Sequence, residues 1–206
     1  MDVSVGVEGL SDQGVASAIL RACGLSVSGW YGMHGKVPLL KKLPNYNLAA
    51  RHSPWVVFVD LDDDGPCPGK KRDDWLPDAS PLMCFRIAVR ELEAWLLADQ
   101  EQIAEFLGVS ASRIPSQPEN LDDPKQSLIS LARRSRKRAI REGLVPRDGS
   151  GASVGPTYAS DIREFGRTQW RPLVAAKSAP NLERCITRVR ELAAVMKQDV
   201  TNAPLE

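Results

Sequence analysis

Apolar residues along the chain follow two periods, and the changes from one to the other mark out its elements. Residues 3–7, Val-Ser-Val-Gly-Val, alternate as a strand does and stop at Glu8-Gly9. Beyond Ser11, placed to cap a helix, Val15, Ala16, Ile19 and Leu20 recur at helical spacing up to about Cys23. Residues 24–36 are glycine-rich, with Gly24, Gly29, Gly32 and Gly35 and no assigned strand, and short helices are predicted over 37–43 and 46–51. The run Trp55-Val56-Val57-Phe58-Val59 is apolar at every position, the pattern of a strand buried on both faces of a parallel sheet. It leads directly into Asp60-Leu61-Asp62-Asp63-Asp64-Gly65. Residues 66–81, rich in Pro, Asp and Lys, predict a loop over that acidic end, and 83–88 a third strand.

A helix then spans Arg90 to Ala98, breaks near Asp99 and resumes through Ile103, Phe106 and Leu107 to Gly108. On its wheel Glu93 falls inside the apolar sector, between Val89, Leu96 and Leu97, whereas Glu91 falls outside. A carboxylate in that sector needs a salt bridge, for which Arg86 and Arg90 are at hand, or a functional role. Residues 115–124 read as a linker, and Lys125 opens a helix with Leu128, Ile129 and Ala132 on one face. A basic run follows at 133–141, then a mobile loop at 143–156. Leu182, Cys185, Ile186, Val189, Leu192, Ala193 and Met196 form the docking stripe of a terminal helix whose last few residues fray. Strands alternating with helices predict an α/β fold with a mostly parallel sheet flanked by helices and a helical C-terminal part. The expected division is an α/β core over 1–114 and a helical extension over 115–206, packed as one unit.

Composition changes this picture little. Lys plus Arg number 27 and Asp plus Glu 26, so overall charge favours neither nucleic acid nor membrane. No stretch is long and apolar enough for a membrane span, no signal-like segment opens the chain, and the four cysteines form no CxxC pair. The expectation is a reduced, cytoplasmic protein of undefined oligomeric state. No GxxxxGK[ST] supports a nucleotide P-loop, and no Ser-His-Asp or Cys-His arrangement supports covalent hydrolysis. His34 reads as a surface loop residue.

Charge distribution says more. In open α/β sheets ligands bind beyond the carboxyl ends of the strands, where Asp60 and Asp62 emerge. Along an extended chain these two point the same way about 7 Å apart. Like charges that close call for a cation between them, and a hard divalent ion suits carboxylates. Glu8 ends another strand, while Asp12 sits in a first helical turn that favours an acid by the dipole alone. Lys36 lies within possible reach of the acids. In the basic run, Arg134, Lys137 and Arg141 are candidates for a phosphate backbone, against the plainer reading of a solvated helix face. A calcium loop starting at Asp60 fails at its twelfth position, Lys71, and follows a strand rather than a helix. A haloacid-dehalogenase reading departs at Asp64 and needs the first strand.

Val7-Glu8-Gly9-x-Ser11-Asp12, followed by a later strand ending Val59-Asp60-x-Asp62, resembles the Toprim domain of topoisomerases, primases and overcoming-lysogenization-defect nucleases. The resemblance implies a Toprim-like (Rossmann-like) fold. It also implies Mg²⁺ or Mn²⁺ held by Glu8, Asp60 and Asp62, with Asp64 adjoining, and Glu8 as an acid or base in phosphodiester chemistry. Arg86 through Asp99, Pro118-Glu119, Asp123-Pro124-Lys125, and Trp170 with Ser178-x-Pro180-x-Leu182 resemble a bacterial Toprim-like family, domain of unknown function 4276. Its members are often encoded beside ATPases in defence loci. That resemblance adds Glu93, Asp99 and Lys125 to the site and implies two alternatives. One is a metal-dependent nuclease or phosphodiester-transfer enzyme acting on nucleic acid with an ATPase partner. The other is a non-catalytic, metal-binding partner of that ATPase.

Overall fold

A computed structural model describes the backbone of residues 1–201 and the side chains up to residue 198. The expected fraying of the last few residues lies outside the described residues. Four strands, β1 (Asp2–Val7), β2 (Ser26–Gly32), β3 (Trp55–Asp60) and β4 (Met83–Ala88), form one all-parallel sheet in the order β2-β1-β3-β4. The chain leaves β1 for β2 on one side and returns for β3 on the other, which opens a crevice at the carboxyl ends of β1 and β3.

Alternation along the strands divides the interior. Val3, Val5, Val7, Val56, Phe58, Cys84 and Ala88 face one apolar cluster; Trp55, Val57, Val59, Met83, Phe85 and Ile87 face the other. Every β3 residue is buried, as its unbroken apolar run predicts. Helix α1 (Asp12–Ala22) packs on the first face, and α2 (Lys36–Ala49) covers the second with Leu39, Leu43 and Tyr46. Tyr46 stacks on Trp55 with centroids 4.6 Å apart. Pro44 lies inside α2, so the two helices expected over 37–51 are one; burial of the flanking Leu43 and Tyr46 holds the turn that lacks a proline N–H.

The structure adds a strand where the sequence assigns none and corrects the loop expected over 66–81. The glycine-rich segment contains β2, an edge strand whose half-exposed residues and Gly29 blur the alternation, and a Cβ at Gly29 would press on the Tyr31 ring. The loop expected over 66–81 contains α3 (Pro68–Trp75), a helix with no buried residue and therefore no apolar period to read. Its Trp75 ring lies 6.4 Å from that of Phe85.

Beyond β4 come α4 (Leu92–Ala98), α5 (Gln100–Leu107), α6 (Pro124–Arg133), α7 (Arg138–Leu144), α8 (Tyr158–Thr168), α9 (Pro172–Ala175) and α10 (Pro180–Thr201). Their apolar faces join the first cluster, so Val5 of β1 and Leu182 of α10 share one continuous core. Among the described residues no helix is long and apolar enough to cross a membrane.

Helix α8, whose buried Tyr158, Ile162 and Phe165 recur at helical spacing, crosses α1 at two glycines. A Cβ at Gly14 would overlap the Arg163 carbonyl, and one at Gly166 would lie 2.9 Å from the Gly14 carbonyl carbon. Gly14→Ala should therefore destabilise the protein by about 1–3 kcal/mol, the usual range for overpacking. Urea unfolding checks this; a loss within the noise would mean that α8 can move away without penalty.

Candidate functional site

The carboxyl ends of β1 and β3 hold Glu8 and Asp60 together. Glu8 Oε1 accepts the Asp60 backbone N–H at 2.8 Å. Asp60 shares the parity of Val56 and Phe58, so its side chain turns toward α1 and α4, where Oδ1 accepts the Leu92 N–H at 2.9 Å. Only 8% of Asp60 is exposed. Asp12, in the first turn of α1, accepts the Gly9 N–H at 2.8 Å and the Ser11 hydroxyl at 2.9 Å. Ser11 makes no side-chain cap of its own; Asp12 organises the turn instead. Glu93 of α4 is buried and accepts the Tyr158 hydroxyl at 2.9 Å. Lys125, near the start of α6, places Nζ 2.7 Å from Glu91 Oε1 and 3.6 Å from Glu93 Oε1.

These groups feel one another's charge. Burial pushes the Glu8 carboxyl up to about 7; the Asp60 N–H and Lys36 oppose the rise, while Asp12 and Asp62 add to it. Burial likewise pushes Glu93 up to about 7, with Lys125 and the Tyr158 hydroxyl opposing and Glu91 and Asp12 adding. Asp60 is held well above the ordinary carboxylate range, by burial first and then by Glu93, Asp12 and Glu8. Asp12 is raised by burial as well. Burial works against the Lys125 charge, but Glu93, Glu91 and Asp60 outweigh it and keep the ammonium protonated. Four acids thus act on one another, with Lys125 opposing the charge of Asp12, Asp60 and Glu93 and Lys36 that of Glu8.

Asp62 adds to the charge felt by Glu8, but Asp62 and Asp64 pair with Lys36 and not with Lys125. The strand ends at Asp60, and Asp62 adopts a left-handed φ of 47°, so the alternation that would align Asp62 with Asp60 no longer applies. Lys36, at the start of α2, bonds Asp62 Oδ2 at 3.0 Å, pairs with Asp64, and donates to the Leu61 carbonyl at 3.1 Å. Asp63 pairs with Arg90, another left-handed residue at φ 56°. The two halves of the DxD motif therefore face different partners.

The remaining candidates have structural duties. Asp99 is buried, closes the start of α5 and takes two bonds from the Arg171 guanidinium at 2.9 and 2.7 Å, away from the acids. The salt bridge expected from Glu93 to Arg86 or Arg90 is made by Lys125 instead. The basic run is interrupted between α6 and α7. Lys137 Nζ caps the Glu105 and Phe106 carbonyls at the end of α5, and Arg141 bonds the Ser135 carbonyl. Arg134 ends α6, about 13 Å along the helix from Lys125 by its rise per residue. The run thus lies at the far end of that helix and not beside the acids.

Three members of the cluster are not evident from the sequence. Asp12 has a sufficient explanation in the helix dipole, Glu91 lies off the apolar sector, and Tyr158 stands on the apolar stripe of α8 with Ile162 and Phe165, where an aromatic reads as plain core. For Asp12 the compact Glu8-Gly9-x-Ser11-Asp12 stretch is the available signal.

A metal fits the donor chemistry in part. Among the described residues no group of three or more His, Cys, Asp or Glu side chains is arranged to hold an ion. Glu8 and Asp60, however, each spend one oxygen on a backbone N–H, so that Oε2 and Oδ2 carry no protein hydrogen bond. Mg²⁺ commonly binds through one or two carboxylates and keeps several waters. Glu8 and Asp60 meet that requirement; Asp62 would join only by leaving Lys36.

The raised carboxyls predict an inverted acid response. Between pH 4.5 and about 7 folded Glu8 and Glu93 hold protons that the unfolded chain has lost. Their contribution to stability is complete below pH 4.5 and is lost as pH rises through about 7. Each tenfold difference in acidity between the folded and unfolded carboxyl is worth about 1.4 kcal/mol before solvent screening. Thermal unfolding of metal-free protein should show melting temperature falling across that window, and Glu8→Gln should flatten the slope. A flat or rising profile would remove the coupled-acid description. Searches against protein-family models, curated proteins and solved structures each return no match to this chain.

Proposed function

We propose that the chain is a Mg²⁺- or Mn²⁺-dependent enzyme that cleaves or transfers phosphodiester bonds of nucleic acid at the β1–β3 crevice, in a defence system with an ATPase partner. One observation carries the reading. Glu8 and Asp60 are clasped at the ends of adjacent parallel strands, each with an oxygen to spare, beside two more buried acids and a protonated lysine. The motif order Glu8, then Asp60 and Asp62, with its resemblance to Toprim, gives that arrangement its chemistry and supplies the ATPase and defence context.

Glu8 Oε2 and Asp60 Oδ2 would hold the ion. When bound, a divalent cation supplies charge to polarise a phosphoryl oxygen and to activate water. The rest of the work falls to the protein. The Asp60 N–H fixes Glu8, and the Leu92 N–H fixes Asp60, so both carboxylates are pre-oriented on rigid elements. Lys125 is the group that offsets negative charge developing on the substrate, and Tyr158 orients Glu93 behind it. Glu8 is placed to hold or move a proton at Oε2.

A second reading has its own support. Lys36 already neutralises Asp62 and Asp64, which suits a non-catalytic protein that binds metal to regulate assembly with the ATPase. A Mg²⁺ and Mn²⁺ titration followed by thermal unfolding, beside cleavage of single- and double-stranded DNA and RNA with that partner present, separates the two. The enzyme reading expects stabilisation and cleavage with the same metal dependence. Stabilisation with no cleavage of any substrate selects the regulator, and absence of both removes the metal site.

A further inference from the structure

The outer edge of β4 is open. Trp55 N–H bonds the Leu82 carbonyl and Leu61 N–H the Ala88 carbonyl, so the even-numbered residues of this segment face β3. The odd-numbered ones turn their amides outward, with no strand beyond. At the carboxyl end Asn181 of α10 closes the edge: its Nδ2 donates to the Ile87 carbonyl at 3.2 Å, and its Oδ1 accepts the Val89 N–H at 3.1 Å.

Next to Asn181, between α3 and α10, lies a cavity of about 300 Å³ whose lining includes four arginines, Arg72 of α3, Arg86 of β4, and Arg184 and Arg188 of α10. It continues along the strand into a second cavity of about 410 Å³ that shares Arg72, Arg86 and Arg188. The carboxylate lining the first cavity, Glu191, is taken by Arg188 at 2.7 Å, and Arg72 leans on its neighbour Asp73. Arg184 has no carboxylate partner among the described residues. The Arg86 Nε–H is buried with no acceptor; the guanidinium lies by the Cys84 and Cys185 thiols, hydrogen-bonds Cys185, and makes no salt bridge among the described residues. A buried donor left unpaired is costly and calls for an explanation, and a bound anion at this cavity would supply the missing acceptor.

We propose that this pocket is a binding site for a ligand carrying adjacent phosphate groups, such as the diphosphate or triphosphate of a nucleotide. Guanidinium forks match phosphate oxygens bidentately, and several of them in one small cavity call for closely spaced negative charge. An acidic peptide added as a strand fits less well. Asn181 already occupies Ile87 and Val89, and the Met83 N–H is bonded to the Ser80 carbonyl, so little edge remains to pair. The pocket is separate from the Glu8–Asp60 crevice and does not rest on the nuclease reading.

The test is calorimetric titration of the full chain, without divalent metal, with inorganic pyrophosphate and with ATP. Saturable binding is expected, weakened at least tenfold by Arg86→Gln and by Arg184→Gln and unaffected by Asp60→Asn. Arg184 is exposed, so its variant decides the matter if Arg86→Gln fails to fold. Oligonucleotides with a 5′-phosphate or a 5′-hydroxyl identify the source of the phosphates. Preference for the phosphorylated end over ATP would place a nucleic-acid terminus in the pocket, and the reverse a free nucleotide; either supports the proposal. No saturable binding of pyrophosphate or ATP, unchanged affinity in the Arg184 variant, or tighter binding of a polyglutamate peptide would overturn it.

Discussion

Replacing Asp60 by Asn should lower metal-dependent cleavage by at least about 100-fold while leaving the fold intact. Changing groups one shell outside a metal already costs about 10–100-fold in typical sites, and Asp60 is proposed as a direct ligand. The amide oxygen of Asn can still accept the Leu92 N–H, so the local backbone keeps its bond. Removing a buried acid from among Glu8, Asp12 and Glu93 relieves desolvation and repulsion, and the metal-free variant should be no less stable than the parent. Its stabilisation by added Mg²⁺ should disappear with the activity, because only the folded site presents converging ligands. Glu8→Gln then separates two roles. Cleavage lost by about 100- to 10,000-fold with metal binding kept makes Glu8 the acid or base; loss of both makes it a ligand. An Asp60 variant with full activity and a full Mg²⁺ response would show that the crevice is not the active site.

Lys125→Met should destabilise the metal-free protein by about 3 kcal/mol at pH 8, the low end for breaking a buried pair because the lysine side chain is 33% exposed. Glu93, whose side chain is 5% exposed, would be left buried without its cation, and Asp60 would lose the nearest charge that opposes its repulsion. The loss should shrink at pH 5. Burial already holds Glu93 up near 7, and removing the lysine raises it further, so at low pH the carboxyl is protonated in the folded state and no charge is stranded. Stability of the variant must therefore fall more steeply than that of the parent as pH rises. Adding Glu93→Gln should recover part of the loss at pH 8. Urea unfolding of parent, single and double variants at both pH values measures this directly. An equal loss at pH 5 and pH 8 would mean that Lys125 contributes packing rather than charge.

The central strand and its two acids were legible because a strand buried on both faces is written as an unbroken apolar run, and β3 has no exposed residue to interrupt it. Glu8 followed from the same logic at the end of β1. Strand β2 was not legible, since an edge strand with glycines at Gly29 and Gly32 buries too little to impose alternation. Glu93 was correctly placed in an apolar sector. The wheel that sets Glu91 outside that sector runs the helix from Arg90. The helix begins at Leu92, after Arg90 turns left-handed, and Glu91 is free to reach Lys125. Several residues of the family-like stretches prove to be scaffolding. Glu119 accepts the Asn181 and Leu182 N–H groups at the head of α10, and Trp170 donates to the Trp95 carbonyl.

By itself the sequence determined the α/β class, the ends of β1, β3 and β4, and the presence of Glu8 and Asp60 at two of them. Those features follow from burial repeated at short, regular spacing, which neighbouring residues record. Only the tertiary structure decided which acids meet. It turned Asp60 inward to Leu92 and Asp62 outward to Lys36, brought Asp12, Glu93 and Tyr158 to one place, and set Lys125 among them. It also joined Arg72, Arg86, Arg184 and Arg188 across three elements. Charges act through space over several ångströms, and their partners are fixed by how elements pack rather than by distance along the chain.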